Sequence, residues 1–277
     1  MAGDLVPTLR EHAHEVDVRA EFPTASLRAL RESGLMGLMV PSEYGGLNGT
    51  PQDLAEFSQV LAGGCLSTAM IFVMHCQQAD ALVRFARHEL KERLLPRIAD
   101  GSLYLASITS EEDKGGHLLT SAAPSRSVDG GLRVSRVAPV VTGGAHADGY
   151  LVTMRSGPEA PAHAVSLVYV DRRQADLEFH GDWDPMGMRG THSVGLKLEA
   201  VVPPEQIVGT EGEFRAVALH SFMPLAHIGW SACWLGAAQQ SLRELIALLR
   251  SPRPRGAWTS RPICCTSGWP AFATAWS

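Results

Sequence analysis

Met186-Gly187-Met188-Arg189-Gly190-Thr191 opens a strand-like run that ends at Val201-Val202-Pro203-Pro204. Taken alone, it is a tight turn leading into a strand: glycine supplies the backbone freedom of the turn, and the prolines end the pairing. It gains weight from three segments upstream, in fixed order. These are Val40-Pro41-Ser42-Glu43-Tyr44-Gly45-Gly46, Ala106-Ser107-Ile108-Thr109 and Val141-Thr142-Gly143-Gly144.

Working outward from that turn, the whole region from Ser102 to Val202 reads as β-structure. Short runs rich in Val, Leu, Tyr and Thr alternate with Gly, Asp and Pro clusters. The predicted strands are 103–109, 132–141, 149–154, 165–170, 177–180 and 194–200, and Ser127-Val128-Asp129-Gly130-Gly131-Leu132 carries a hairpin signal. On the N-terminal side, residues from about 4 to 100 read as helical. Thr50-Pro51 starts one helix with an N-cap and a first-turn proline. Residues 67–86 are apolar almost all round, which predicts a buried helix, and 89–98 form a short amphipathic one. On the C-terminal side, Glu213 to Arg250 is one long helical pattern with small residues suited to packing between helices.

Composition narrows the class. The chain has 277 residues, 45% of them hydrophobic and 19% charged, so a sizeable core is expected and global disorder is not. The net charge of −5 is spread along the chain and gives neither a nucleic-acid footprint nor a polybasic membrane segment. No apolar stretch approaches the roughly 18 residues that span a bilayer, and the N-terminus has no secretory apolar region. The five cysteines show no metal or redox spacing. Cys65, Cys76 and Cys233 sit in apolar helical runs and read as buried thiols, so a cytoplasmic location is the default. His75 and Cys76, inside the apolar helix, read as core packing rather than a metal pair.

The four segments, taken in order, resemble the acyl-CoA dehydrogenase family of flavoproteins, from the N-terminus to about Arg250. The resemblance implies an α+β multi-domain fold: an N-terminal all-α domain (1–100), a central β-barrel-like domain (101–210) and the first helix (211–250) of a C-terminal helical bundle. It implies FAD as cofactor and an acyl-CoA or acyl-carrier-protein thioester as substrate, oxidised across its α,β CH–CH bond. It also implies an electron-transfer flavoprotein as electron acceptor and a homodimer or homotetramer. A flavin-dependent monooxygenase or an acyl-carrier-protein thioester oxidase of the same fold is the alternative, and a non-catalytic remnant or binding protein is another.

The resemblance also assigns residues. Thr109 and Ser110, with Gly116 after them, match the loop that touches the flavin and its pyrophosphate. Backbone N–H groups and a hydroxyl can donate there, and glycine allows close approach. Glu111, Glu112 and Asp113 depart from the family pattern, and three adjacent acids would repel a pyrophosphate. The stretch also suits an ordinary acidic turn. Val140, Val141 and Thr142 match the strand along the flavin, with Val140 where a Trp is common and Thr142 placed to donate to the ring. Met186–Thr191 is a fold marker, and Tyr44-Gly45-Gly46 is expected to shape the entrance. The family's base is a Glu, either late in the C-terminal domain, a part this chain lacks, or early on the helix 213–250. Alignment through Leu235-Gly236 puts Ala226 at the early position, with His227, a weaker base candidate, beside it.

The family character fades after Ser251. Pro252, Pro254, Pro262 and Pro270 break any period, no acid follows Glu244, and Trp258, Trp269 and Trp276 crowd together. Permitted codons for residues 266–277, read in a neighbouring frame, spell an amphipathic helix. A shifted reading frame from about residue 251 is therefore the expectation for this non-family tail.

Overall fold

The computed structural model describes residues 1–112 and 117–250. Gly116 and the tail 251–277, on which expectations rest above, lie outside the described residues. Met1–Gln240 form one compact unit; Ser241–Arg250 continue the final helix.

Five helices come first: α1 (Ala2–Arg19), α2 (Thr24–Glu32), α3 (Pro51–Ala62), α4 (Leu66–Phe85) and α5 (His88–Ala99). The start of α3 is fixed by the predicted cap, completed by a reciprocal bond. Thr50 Oγ1 accepts from the Asp53 amide at 3.2 Å, and the Thr50 amide donates to Asp53 Oδ2 at 2.8 Å. Buried residues lie all round α4, including Ile71, Phe72, Val73, His75, Cys76 and Ala79, because it is packed on more than one side. His75 is a staple within it. The ring Nδ1 accepts from the Leu105 amide at 3.1 Å, which leaves Nε2–H to donate to the Met36 carbonyl at 3.0 Å. Burial lowers its pKa to about 4, so the ring is neutral. The helix is thereby pinned to both the Leu35–Gly37 turn and the first strand.

Eight strands follow: β1 (Leu105–Ile108), β2 (Arg126–Val128), β3 (Gly131–Ala138), β4 (Gly149–Arg155), β5 (Val165–Asp171), β6 (Ala175–His180), β7 (Gly195–Val202) and β8 (Ile207–Val208). They form two four-stranded sheets, ordered β1-β4-β5-β8 and β2-β3-β7-β6. The expected barrel-like domain is thus a pair of sheets, and among the described residues they do not close into a barrel. The β1–β4 pair is parallel and the other pairings are antiparallel. At the β2–β3 hairpin, Gly130 and Gly131 take φ of 90° and 141°, as the glycine-marked turn requires.

The sequence pattern of each sheet follows from what covers it. The first sheet is buried on both faces, and its strands are continuously apolar: β4 and β5 are buried along nearly their whole length. Val152, Met154, Val168 and Val170 face the core shared with the second sheet and the N-terminal helices. Leu151, Leu167 and Tyr169 face a second core with α5 and the chain after β8. The second sheet is covered on one face, so β3 alternates strictly. That alternation buries Leu132, Val134, Arg136 and Ala138 together.

After β8 the chain enters α6 (Phe214–Val217), a π-helical turn over Ala218–Phe222, and α7 (Met223–Arg250). Residues 213–250, read from the sequence as one helical pattern, are therefore helical with a wide turn inserted. Such insertions are uncommon and concentrate at functional sites. The Ser221 hydroxyl donates to the Gln77 carbonyl at 3.3 Å, tying this turn to α4. No helix among the described residues is long and apolar enough to cross a membrane.

Candidate functional site

Three of the four sequence segments converge. The chain leaves β1 at Thr109, and the Ser110 hydroxyl donates to the Val140 carbonyl at 2.8 Å. Past β3, the Val141 amide donates to the Val194 carbonyl at 3.1 Å, and the Gly143 amide donates to the Thr191 carbonyl at 2.9 Å. The 109–110, 140–143 and 188–194 stretches thus share one end of the two sheets. Val141 is buried in the core, whereas Val140 points outward and is exposed. The Met186–Thr191 turn docks this end onto α1. Arg189 donates to the Asp17 carbonyl at 2.6 Å and pairs with Asp184, and a Cβ on Gly190 would lie 2.3 Å from Val16.

Thr142 belongs to a hydroxyl chain with a definite direction. Thr191 Oγ1 donates to the Met188 carbonyl at 2.9 Å, which uses its single proton. Ser193, 2.9 Å from Thr191 Oγ1, must then donate to it, and Thr142, 3.1 Å from Ser193, must donate to Ser193. The Thr142 hydroxyl faces inward with its proton and retains only acceptor capacity. In this arrangement it is not the donor the sequence suggested.

The acidic stretch resolves differently from its appearance in sequence. Glu111 is buried and turned inward. Its carboxylate pairs with Arg136, accepts from the Ala122 and Ala123 amides at 3.0 and 3.1 Å, and accepts from the Ser121 hydroxyl at 2.9 Å. Burial opposes its ionisation, but those amides, the guanidinium and the hydroxyl outweigh it and hold the carboxyl below its usual range. Burial lowers Arg136 to about 10, offset in part by Glu111, so both remain charged at neutral pH. Of the other two acids, Glu112 is exposed and Asp113 lies outside the described residues. The signal that could have revealed this pair is Arg136 at an inward position of the β3 alternation.

On the α4 side of Thr109 lies a cavity of about 330 Å³, at the small end of typical ligand pockets. It is lined by Met74 and Gln77 from α4, Ser107 and Thr109 from β1 and its exit, and Leu118. Phe222 of the π-helical turn and Met223, Ala226, His227 and Trp230 of α7 complete the wall. Thr109, Ala226 and His227, singled out from sequence on separate grounds, therefore meet here. Ser110, Val140, Val141 and Thr142 do not line it. The Tyr44 loop does not line it either; Tyr44 packs against the core around α5, which corrects its expected role at the entrance. Among the described lining residues there is no carboxylate, and His227 carries the one imidazole. Two polar atoms on residues of the wall, both closed to solvent, lack a partner among the described residues: Gln77 Oε1, on a residue 6% exposed, and Trp230 Nε1. Sequence reading missed both, since a glutamine in an apolar helix and a tryptophan in a long one are unremarkable.

Comparison with known proteins agrees with this architecture. Residues 6–102 match the family described as "Acyl-CoA dehydrogenase, N-terminal domain". Cyclohex-1-ene-1-carbonyl-CoA dehydrogenase of Geobacter metallireducens is 29% identical over 203 residues, covering 72% of this chain and 53% of that protein. Dibenzothiophene monooxygenase of Rhodococcus qingshengii is 27% identical over 252 residues, covering 87% of this chain and 60% of its own length. The FMN-bound structure of TdsC from Paenibacillus sp. A11-2 superposes with a TM-score of 0.81 at 26% identity, over 90% of this chain and 64% of that one. Residues 6–102 thus match the N-terminal domain of the acyl-CoA dehydrogenase family, and the chain resembles proteins of that fold in sequence and in structure. It spans between half and two-thirds of the length of these relatives.

Proposed function

We propose that this chain is the flavin- and substrate-binding part of an FAD-dependent oxidoreductase that oxidises an acyl thioester. The observation that carries the reading is the cavity bounded by Thr109 on one side and Ala226, His227 and Trp230 on the other. It sits where the segments matching the flavin loop meet the helix matching the base position. The residues present suit a flavin. Thr109 lines the cavity, Val140 offers an outward apolar face, and the Thr142 oxygen can accept. Glu111, the acid nearest that loop, is neutralised by Arg136, which removes the repulsion the sequence implied.

A bound flavin supplies the hydride acceptor for such chemistry. The protein's part is to hold the thioester against Thr109, keep the cavity apolar with Met74, Leu118, Phe222 and Met223, and accept the α-proton. Ala226 has no atom that accepts a proton; His227 at its Nδ1 or Nε2 is the group in the wall that can. Buried free thiols at Cys65, Cys76 and Cys233 support a cytoplasmic setting. We extend the reading to a homo-oligomer with an acyl-CoA or acyl-carrier-protein substrate and an electron-transfer flavoprotein as acceptor.

A second reading, oxygenation of a neutral substrate, is favoured by the absence of a carboxylate among the described wall residues, since such chemistry needs no α-carbon base. The experiment is an absorbance spectrum of the purified chain with and without FAD, followed by anaerobic mixing with saturated acyl-CoA thioesters. Flavin bleaching that His227→Ala abolishes supports the thioester reading. Retained flavin that no thioester bleaches, with oxygen consumed once the flavin is reduced, supports the second. A chain that holds no flavin overturns both.

A further inference from the structure

We propose that the cavity lined by Arg93, Arg97, Asp171, Arg173 and Gln174 binds the phosphate or diphosphate group of a small molecule. It is separate from the site described above. Asp171, at the end of β5, pairs with Gly149, and Gly149 pairs with Leu105 at the start of β1, whereas Thr109 leaves the far end of β1. The cavity therefore lies at the opposite end of the first sheet from Thr109, and the proposal does not rest on the functional reading.

At about 600 Å³ the cavity has the size of a small-molecule site rather than the flatness of a protein contact. Its charge is lopsided. Three arginines and one aspartate line it, in a chain whose net charge is −5. Asp171 is buried. Burial opposes its ionisation, but Arg173 and Arg97 outweigh that and hold the carboxyl well below its usual range. The carboxylate therefore stays charged and answers one of the three cations.

That carboxylate also gathers two of the guanidiniums. Arg97 Nη1 donates to Asp171 Oδ2 at 3.4 Å, and Arg173 Nη2 donates to the same oxygen at 3.0 Å, while Arg173 Nε donates to Oδ1 at 2.8 Å. The Tyr169 hydroxyl donates to Oδ2 as well, at 3.3 Å. Arg97 and Arg173 are thus held side by side yet remain open to solvent, their side chains 33% and 79% exposed. Arg93 stands one turn before Arg97 on α5, is exposed, and forms no hydrogen bond or ion pair among the described residues. Like charges at that spacing repel. Glu89 and Glu205 border Arg93 on a small neighbouring cavity, and neither forms an ion pair with it among the described residues. A doubly charged phosphate answers the two uncompensated charges, and its oxygens match the planar guanidinium fork two at a time.

The test is calorimetric titration of the full chain with inorganic diphosphate, uridine diphosphate and uridine, at low ionic strength, where exposed charges are least screened. The two diphosphates should bind and uridine should not. Arg93→Gln and Arg173→Gln should each weaken diphosphate binding about tenfold, the scale of one charge-assisted hydrogen bond. Arg126→Gln removes the same charge from an exposed position on β2 and should change the affinity less than about twofold. A thermal melt without ligand reports that each variant is folded, and Arg93 has no partner whose loss would unfold the chain. Equal affinity for the two diphosphates assigns the site to the phosphate group alone; tighter uridine diphosphate assigns it to a nucleotide-like ligand. The proposal is overturned if neither diphosphate binds, if uridine binds as tightly as its diphosphate, if Arg93→Gln leaves the affinity unaltered, or if Arg126→Gln weakens it equally. No flavin and no thioester enter the measurement, so its outcome and that of the functional reading are independent.

Discussion

Arg136 on β3 and Glu111 beyond β1 form a buried ion pair between the two sheets. The guanidinium also donates to the Ser121 hydroxyl at 3.0 Å and to the Ser110 carbonyl at 3.1 Å. It thereby holds the loop that begins at Thr109. Removing one member should be far worse than removing both, because a lone buried charge keeps its desolvation cost and loses its compensation. Glu111→Leu should cost about 3–5 kcal/mol, and the double variant Glu111→Leu/Arg136→Leu should recover much of that. Urea unfolding of the two singles and the double closes the cycle; strictly additive losses would contradict the coupling.

The hydroxyl chain from Thr142 through Ser193 and Thr191 to the Met188 carbonyl makes a smaller prediction. Thr142→Val removes the first link and should lower stability by about 1 kcal/mol, while Thr142→Ser should restore most of it. Chemical denaturation measures both. A valine variant as stable as the parent would mean the proton is not committed inward.

Two histidines set an acid limit, His75 fully buried and His146 exposed at the surface with its ring stacked on Phe22. Desolvation lowers His75 and His146 to about 4, for His146 with the help of His192 and Arg172, from the ordinary imidazole value of 6.5. Between those pH values the unfolded chain binds protons that the folded chain refuses, so stability falls as pH falls through this window and is complete above it. For fully buried His75 the loss approaches roughly 3 kcal/mol by pH 4. The midpoint of urea unfolding should drop between pH 7 and pH 4.5, and His75→Gln should flatten that dependence while lowering stability at pH 7.

Gly190 is the contact point between the family-marking turn and α1. An added methyl would meet Val16 Cγ1 at 2.3 Å and Ser67 Cβ at 3.0 Å. Gly190→Ala should therefore cost about 1–3 kcal/mol, as overpacking does where a stiff β-branched neighbour blocks retreat. A thermal melt checks it, with Val16→Ala as the second-site change expected to relieve the strain.

These residues show what the sequence made legible and what it withheld. Helices and strands were readable where one physical signal dominated: the Thr50–Asp53 cap of α3, the all-round apolarity of α4, the glycine-marked hairpin and the continuously apolar β4 and β5. The meeting of Thr109 with Ala226 and His227 was legible only by resemblance, since no local pattern links positions so far apart. The Arg136–Glu111 pair stayed hidden because its meaning depends on which face of β3 is covered. The unpartnered Gln77 Oε1 and Trp230 Nε1 stayed hidden because the absence of a hydrogen-bond partner is a property of three dimensions.

The π-helical turn at Ala218–Phe222 has a consequence for how this wall can change. One additional residue per wide turn advances the angular phase of everything downstream by about 100°. Met223, Ala226, His227 and Trp230 lie in the cavity wall in that advanced phase. A single-residue deletion within 218–222 would let the helix run straight through and rotate another stripe of α7 into the wall, with no substitution at any of those four positions. Length variation in this short stretch is thus a route to a differently lined cavity on an otherwise unaltered scaffold.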